Sequence, residues 1–284
     1  MSRVVRREGY YPNKGDNEIV TKTKILINNK SILLMKYESS KRVNLYIGGH
    51  EKWCIHCELI KDGNTVKPLG FLIKLRYDML CSLDNHFERG ADTKQLTNVL
   101  IKYIYKNYPT VKELSFNDLS VRTCDDDSSV NLAVMTYLYE DKTWYEKNYD
   151  AYISPQSKKE FELAVERYNK AKEIPWEEMK EIIINREYLS KYTSEEDWMQ
   201  LYIDAPTWKD FFKQIVDAIK IDKFCIFVSG WLDMFMLKYF NNLKSYVFII
   251  PIKDRSIIFK EEEYHRGGKK YTKKNNKKYS QDEK

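Results

Sequence analysis

The sequence predicts an α+β protein in which a mixed, mainly antiparallel sheet precedes a mainly helical region. Two observations predict this fold class. Residues 24–85 form short apolar runs separated by turn residues, and from Leu96 onward apolar residues recur at helical spacing. The chain has 284 residues, of which 43% are hydrophobic and 32% charged, so it can form a core with a solvated surface. This composition excludes a wholly disordered, collagen-like or coiled-coil protein.

The predicted strands are apolar runs that end at turn-forming residues. They comprise Ile25–Ile27, Ile32–Met35, Arg42–Ile47, Trp53–Ile60 and Leu69–Met79. Asn28 and Asn29 connect the first two, and because asparagine tolerates positive φ, this connection predicts a hairpin turn. Gly48-Gly49 and Asp62-Gly63-Asn64 end the third and fourth strands. Such short connections between successive strands predict an antiparallel meander.

The first predicted helix begins where the apolar period changes. Leu96, Leu100 and Ile104 share one helical face, and Asp92 or Thr93 is the predicted cap. The later predicted strands are Val111–Phe116, Phe224–Val228, Tyr246–Ile252 and Ser256–Phe259, of which the last two form a terminal pair. The later predicted helices are Ser129–Tyr139, Thr143–Tyr149, a series beginning near Ser154, Pro175, Ser194 and Thr207, and Trp231–Phe240.

These elements predict four segments along the chain. They are a basic N-terminal arm (1–23), an α+β domain (24–153), a mainly helical domain with closing strands (154–263) and a basic disordered tail (264–284). The tail holds eight basic and two acidic residues, which equals the formal net charge of +6 for the whole chain. Its lysines are interleaved with Tyr271 and Tyr279, a composition that predicts contact with nucleic acid or an acidic partner.

The helical domain carries an aromatic series that predicts either its core or a surface for a protein partner. The series comprises Trp176, Trp198, Trp208, Trp231, Phe211, Phe212, Phe235 and Phe240. The oligomeric state cannot be derived from the sequence.

The cysteines and the apolar runs predict a location. Five cysteines, an odd number, are scattered along the chain as Cys54, Cys57, Cys81, Cys124 and Cys225, so we predict no disulfide framework and a reducing compartment. The longest apolar stretch, residues 224–240, is shorter than the roughly 20 residues of a membrane span. No apolar signal segment occurs near Met1. These features predict a cytoplasmic protein without a membrane span.

The segment Leu72–Ile153 carries the clearest functional pattern. A strand leads to Arg89-Gly90-Ala91-Asp92-Thr93-Lys94 and a helix, then a second strand and helix, and finally Tyr145-Glu146-Lys147-Asn148-Tyr149. A short loop that feeds a helix N-terminus presents free backbone amides and the positive end of the helix dipole, which suits a phosphate group.

This order resembles that of the GNAT-type N-acetyltransferases, and Tyr145–Tyr149 is similar to their Tyr-Glu-Lys-x-Gly-Phe segment. The resemblance implies that acetyl-CoA is the cofactor and that Arg89, Gly90, Ala91, Asp92, Thr93 and Lys94 hold its pyrophosphate. It further implies that Tyr145 protonates the leaving thiolate while an acetyl group moves to an unknown amine. Asp92 and Lys94 stand where the family has further glycines, and Asn148 replaces a glycine.

A second resemblance concerns the source of the chain. The Arg-Gly-x-x-Thr loop, the Lys142–Lys147 segment and the Arg266-Gly267-Gly268 tail resemble uncharacterised proteins of large DNA viruses that infect protists. This resemblance implies a viral protein in the host cytoplasm or the virion. It also frames an alternative function, which Asp92 and Lys94 favour: a non-enzymatic structural or interaction protein with a degenerate GNAT-like fold.

A third hypothesis is a cysteine peptidase that uses Cys124, His50 and Asp78. A thiolate near a helix N-terminus with a histidine base oriented by an aspartate is the logic of such enzymes. The order His…Asp…Cys resembles the Ulp/adenain-like peptidases. Three aspartates follow Cys124 and oppose thiol activation by raising its pKa.

Two groups of residues have ligand chemistry without the spacing of a metal site. His50, Cys54, His56 and Cys57 contain a single Cys-x-x-Cys, and neighbouring positions of a strand point to opposite faces. Asp125-Asp126-Asp127 lacks the glycine and distal glutamate of a calcium loop. We therefore assign no metal ligand.

Overall fold

The computed structural model describes residues 10–50, 52–63, 65–73, 83, 91–118, 121–124, 129–183, 194–218, 229, 232–241 and 243–264. Within these residues the chain has the predicted α+β class, with a mainly antiparallel six-stranded sheet, two smaller sheets and a series of helices. The predicted strand Phe224–Val228 and the part of the strand Leu69–Met79 beyond Ile73 lie outside the described residues.

The strands are β1 (Ile19–Ile27), β2 (Lys30–Glu38), β3 (Arg42–Gly48), β4 (Trp53–Asp62), β5 (Thr65–Ile73), β6 (Glu113–Asn117), β7 (Val121–Thr123), β8 (Ser129–Asn131), β9 (Tyr152–Ile153), β10 (Val247–Pro251) and β11 (Lys260–Glu263). The α-helices are α1 (Ala91–Asn107), α2 (Leu132–Glu140), α3 (Trp144–Tyr149), α4 (Pro155–Lys170), α5 (Trp176–Ile183), α6 (Glu195–Asp204), α7 (Trp208–Ala218) and α8 (Leu232–Tyr239).

The large sheet has the order β11-β1-β2-β3-β4-β5, and every neighbouring pair is antiparallel. The predicted hairpin turn between β1 and β2 is confirmed, because Asn28 and Asn29 have φ values of 46° and 64°. Ile25 pairs with Ile32 across these strands, and both are fully buried. The predicted meander is therefore the actual topology of β1 to β5.

The predicted terminal strand pair is wrong. β10 pairs with β6 and β9, whereas β11 pairs with β1, so the last two strands join different sheets. The residues predicted as the last strand, Ser256–Phe259, alternate as a strand would, with Ile257 and Phe259 against the core and Ile258 exposed, but they pair with no strand in the described residues. The four residues of β11 are all exposed, and backbone pairing at a sheet edge is what holds them extended.

The predicted helix Ser129–Tyr139 begins later than expected. Residues Ser129–Asn131 pair with β7, and α2 starts at Leu132. Asn131 caps this helix, since its Oδ1 accepts hydrogen bonds from the amides of Ala133 and Val134 at 2.9 and 3.2 Å. The side-chain cap explains where the extended backbone ends.

The main core lies between one face of the large sheet and the helices. Leu96, Val99, Leu100 and Ile104 of α1 are fully buried in it, as the helical spacing predicted. Full burial of one such side chain stabilises the fold by about 1.5–3 kcal/mol. The other face of the sheet carries a separate, smaller cluster, described below.

The helical region has an aromatic core. Trp176, Trp198 and Trp208 are buried, while Trp231 lies outside the described residues. The Trp208 indole donates a hydrogen bond to the Tyr168 carbonyl at 2.8 Å, which joins α7 to α4. These three tryptophans therefore form core and not a free surface.

The prediction of reduced cysteines is wrong for two of them. Cys54 and Cys124 are disulfide-bonded, and Cys57 is a free thiol that is fully buried in β4. Scattered spacing gave no sign of this, because disulfide partners are neighbours in space and not in sequence. None of the helices in the described ranges is long and apolar enough to cross a bilayer.

Candidate functional site

The candidate site is built around β5 and β6, two adjacent strands that belong to different sheets. The Thr110 hydroxyl accepts a hydrogen bond from the Val66 amide at 2.9 Å and donates one to the Val66 carbonyl at 3.2 Å. Val66 lies at the start of β5 and Thr110 just before β6, so both strands begin at the same end. In the described part of the chain no backbone ladder joins them, which leaves a seam between the two sheets.

The N-terminus of α1, which follows β5 in the chain, lies against β2, three strands from β5 in the sheet order. The prediction that Asp92 or Thr93 caps α1 is wrong, because the helix begins at Ala91 and both residues lie inside its first turn. The Asp92 carboxylate pairs with Lys30 of β2. The Lys30 Nζ is 3.0 and 2.8 Å from the two carboxylate oxygens, and the Asp92 side chain is only 4% exposed. The pair removes most of the repulsion that a lone carboxylate would exert on an anion at this helix end.

The other predicted cofactor residues differ in their exposure, and two of them lie outside the described residues. Thr93 is buried, and its carbonyl accepts a hydrogen bond from the Thr97 hydroxyl at 2.9 Å. Lys94 is exposed in the first turn, and Ala91 is the first helical residue. Arg89 and Gly90 lie outside the described residues.

The segment Tyr145–Tyr149, which resembles the acetyltransferase motif, lies in the short helix α3. Its Glu146 serves a capping box with Thr143: the Thr143 amide donates to Glu146 Oε2 at 2.6 Å, and the Glu146 amide donates to Thr143 Oγ1 at 3.3 Å. The backbone adopts positive φ at Asp150 (55°) and not at Asn148, which remains helical. Asn148 therefore needs no glycine-like conformation in this chain.

Tyr145 of α3 packs against the end of β6. Its ring centroid lies 4.3 Å from that of Phe116, the penultimate residue of the strand. The side chain is 8% exposed, and burial raises the pKa of the Tyr145 hydroxyl, with a further rise from the negative charge of Asp118. The phenol is therefore protonated at neutral pH and can donate a hydrogen bond but cannot act as a base.

A partly buried arginine, Arg255, joins α3 to the segment after β10. The Arg255 Nη2 donates a hydrogen bond to the Tyr149 carbonyl at 2.9 Å, and its Nη1 lies 3.6 Å from Asp150. Burial lowers the pKa of Arg255 and raises that of the Tyr149 hydroxyl. These contacts fix the position of the helix that carries Tyr145.

No family model, no curated protein and no solved structure matches this chain. The proposed function therefore rests on the geometry of the site.

The sequence contained little or no indication of three charged residues of this region, Lys30, Asp118 and Arg255. Lys30 and Asp92 are 62 positions apart, and Arg255 contacts Tyr149 across 106 positions, so no local pattern links them. Asp118 carried one faint signal, because it directly follows a strand that alternates buried and exposed residues.

Two residues of the peptidase hypothesis, Cys124 and His50, have other partners in the structure. The disulfide of Cys124 removes the thiol that the nucleophile requires. His50 is exposed and its Nδ1 lies 3.0 Å from the Tyr264 hydroxyl, while Asp78 lies outside the described residues.

The cysteine and histidine set near β4 is also occupied by other contacts. Cys54 is disulfide-bonded and the His56 ring stacks on Tyr46 with centroids 4.3 Å apart. Across the described residues no group of three or more potential ligands is close enough to hold a metal ion.

Proposed function

We propose that the chain is a GNAT-like acyltransferase that binds acetyl-CoA at the seam between β5 and β6 and acts with Tyr145. The observation that carries the proposal is the position of Tyr145, a buried and protonated phenol that packs on Phe116 where β6 ends. The seam supports the proposal, because Val66 and Thr110 bring the starts of β5 and β6 together while no backbone ladder joins the two strands in the described residues.

The start of α1, which contacts β2 of the same large sheet as β5, supports a phosphate group. The first-turn amides and the helix dipole attract an anion, and Lys30 compensates the charge of Asp92. Lys94, exposed in the first turn, adds a positive charge. Acetyl-CoA, with its pyrophosphate and long flexible arm, has the chemistry that this arrangement would bind.

In the proposed reaction Tyr145 donates a hydrogen bond to the leaving group and does not transfer its proton. An amine attacks the thioester carbonyl carbon, and the C–S bond breaks as the tetrahedral intermediate collapses. A thiol has a pKa of about 8.5, whereas a tyrosine starts near 10 and Tyr145 lies higher still. Tyr145 therefore stabilises the departing thiolate by a hydrogen bond, and the thiolate takes its final proton from solvent or from the amine.

Calorimetry with acetyl-CoA tests the proposal on the full chain. We expect binding in the micromolar range, retained in Y145F, together with loss of acetyl transfer to a panel of amines in Y145F. The matched control is Y105F, since Tyr105 is an exposed residue of α1. Absence of binding at millimolar acetyl-CoA would refute the proposal.

The alternative, a non-enzymatic viral structural or interaction protein, is favoured by a different observation. Cys54 and Cys124 are disulfide-bonded, and disulfides persist on virion surfaces and in other oxidising settings but not in a reducing cytoplasm. A protein partner would meet the helical region at exposed apolar side chains such as Leu163, Ile203 and Leu237. A chain that is oxidised in purified virions and does not bind acetyl-CoA would support this alternative.

A further inference from the structure

The face of the large sheet that points away from the main core carries a small aromatic cluster. It comprises Leu33, Met35, Tyr37, Tyr46 and Trp53 of β2, β3 and β4. Tyr46 lies at its centre, with its ring centroid 5.5 Å from that of Tyr37 and 5.6 Å from that of Trp53. Because β2 and β3 are each paired with a strand on both edges, the backbone under the cluster is held independently of what covers it.

Residues 10–18, which we call the strap, pass over this cluster without joining the sheet as a strand. In the described part of the chain their single β-bridge joins Tyr10 to Lys52. A turn connects the strap to β1, since the Glu18 amide donates a hydrogen bond to the Gly15 carbonyl at 3.2 Å. The central residues of this turn are exposed. A segment without a backbone ladder can open locally at a lower cost than the sheet beneath it.

Two side chains of the sheet bind the backbone of the strap. The Trp53 indole donates a hydrogen bond to the Tyr10 carbonyl at 3.0 Å, and the Tyr37 hydroxyl donates one to the Pro12 carbonyl at 2.9 Å. Carbonyls two residues apart face the same way in an extended chain, so the two donors match an extended peptide. Aromatic-lined grooves are also how several domains bind extended peptides that contain proline.

Tyr11 fills the groove between these two hydrogen bonds. Its ring meets that of Tyr46 edge-on, with centroids 6.2 Å apart, and its hydroxyl donates a hydrogen bond to the Gly49 carbonyl at 2.9 Å. Gly49 is buried, so a phenylalanine in place of Tyr11 would deprive this carbonyl of that donor. Pro12 has no amide to leave unpaired, and it favours an extended backbone at the residue before it. The groove therefore selects tyrosine followed by proline.

We propose that this groove is a binding site for an extended Tyr-Pro peptide of a protein partner, and that the strap occupies it as a built-in competitor. The strap itself carries the ligand chemistry: a phenol, a proline after it, and two carbonyls on one side of the chain. A partner peptide displaces the strap without breaking any strand of the sheet. The groove lies on the face opposite to α1, so it is independent of the proposed acetyl-CoA site.

Two other accounts of the groove make different predictions. If the strap is a permanent part of the core, it opens only when the whole sheet unfolds. If two copies of the chain exchange their straps, a dimer forms whose amount rises with concentration.

Exchange of the Trp53 indole proton, followed by NMR on the unmodified full chain, tests whether the strap opens by itself. This proton is bonded to the Tyr10 carbonyl, so it exchanges with solvent each time the strap lifts. We expect exchange well before global unfolding and with little dependence on urea, and W53F assigns the signal. Exchange of this proton only through global unfolding would overturn the proposal. Because it uses the unmodified chain, this measurement decides the question even if the variants below fail to fold.

Binding of a labelled peptide with the sequence of residues 9–14, measured by fluorescence anisotropy, tests recognition. Y11A removes the residue that holds the strap in the groove. A tethered segment has an effective concentration in the millimolar range, so for a peptide Kd of about 0.1 mM the original chain should bind about 10-fold more weakly than Y11A. Y11A/W53F lacks one donor and should bind about 2- to 10-fold more weakly than Y11A, whereas the exposed control Y11A/Y105F should not.

The peptide and the oligomeric state supply the remaining outcomes. A Y11F peptide should bind more weakly, and a peptide with Tyr11 and Pro12 exchanged should not compete. Absence of binding to folded Y11A, equal binding to Y11A and the original chain, or equal competition by the exchanged peptide would overturn the proposal. A dimer of the original chain that grows with concentration and is abolished by Y11A would assign the groove to a second copy and would also overturn it.

Discussion

Replacing Lys30 by methionine should destabilise the fold, because it removes the positive charge that pairs with the buried carboxylate of Asp92. Lys30 Nζ lies 2.8 Å from Asp92 Oδ2, and the two side chains are 27% and 4% exposed. Exposed ion pairs contribute up to about 1 kcal/mol, whereas removing one partner of a buried pair costs about 3–5 kcal/mol. Because Asp92 is buried and Lys30 only partly so, we expect K30M to cost about 2–3 kcal/mol.

Matched variants separate two effects: the cost of a buried Asp92 carboxylate without Lys30, and the loss of the contact between the two side chains. D92N leaves no buried charge and should cost about 1–2 kcal/mol. The double variant K30M/D92N should be more stable than the sum of the single effects predicts, since the two residues are in contact. Urea unfolding followed by circular dichroism gives these free energies. If K30M costs less than D92N, the argument that Lys30 compensates a buried charge is refuted.

The Lys30–Asp92 pair also gives a test of the proposed phosphate site at the start of α1. D92N keeps Lys30 and removes one negative charge from the start of α1, so we expect it to bind acetyl-CoA more tightly than the original chain. Weaker binding in D92N, measured by calorimetry at a temperature at which both chains are folded, would contradict a phosphate site at this helix end.

Three further predictions concern stability. Reduction of the disulfides of Cys54 and Cys124 should cost about 2–4 kcal/mol and lower the melting temperature, and an unchanged melting curve with reductant would contradict their structural role. T143A should cost about 1 kcal/mol in urea unfolding, because it removes the capping box of α3, and a change below the error would argue against that box. Burial raises the pKa of Tyr37 from 10.0 to about 12, so its contribution to stability is present below pH 10 and is lost as the pH rises through 12. Y37F should show a smaller loss of stability over that interval, and an identical loss would contradict this assignment.

The elements that the sequence predicted well have local causes. Asn28 and Asn29 predicted a hairpin because their backbone tolerates the positive φ that they adopt. Ser194 predicted a helix start, and in the structure its side chain accepts a hydrogen bond from the Asp197 amide while the Asp197 carboxylate accepts one from the Ser194 amide. In both cases a few adjacent residues determine the conformation.

The elements that the sequence missed depend on distant partners. β11 is a run of four exposed charged residues, and it is extended only because it pairs with β1 more than 230 residues earlier. The strand predicted at Ser256–Phe259 had the right composition but lacks a neighbouring strand to pair with in the described chain. Strand pairing across such distances leaves no periodic trace in either segment.

The candidate site shows the same contrast between features with a local sequence pattern and features that depend on distant partners. Tyr145 could be selected because its neighbours resemble a known motif, although the structure gives Glu146 of that motif a capping role. The pairing of Asp92 with Lys30 could not be foreseen, because an aspartate in a first helical turn is a common favourable placement whatever its partner. The disulfides of Cys54 and Cys124 also could not be foreseen, since five scattered cysteines allow many pairings.

The most direct test of the central proposal is a calorimetric titration of the full, oxidised chain with acetyl-CoA. The proposed site predicts saturable binding of one acetyl-CoA per chain, with affinity retained in Y145F because Tyr145 acts on the leaving thiolate and not on the pyrophosphate. Acetyl transfer should fall in Y145F and remain in Y105F. No heat of binding at millimolar acetyl-CoA would contradict the acyltransferase and leave the structural or interaction protein as the better account.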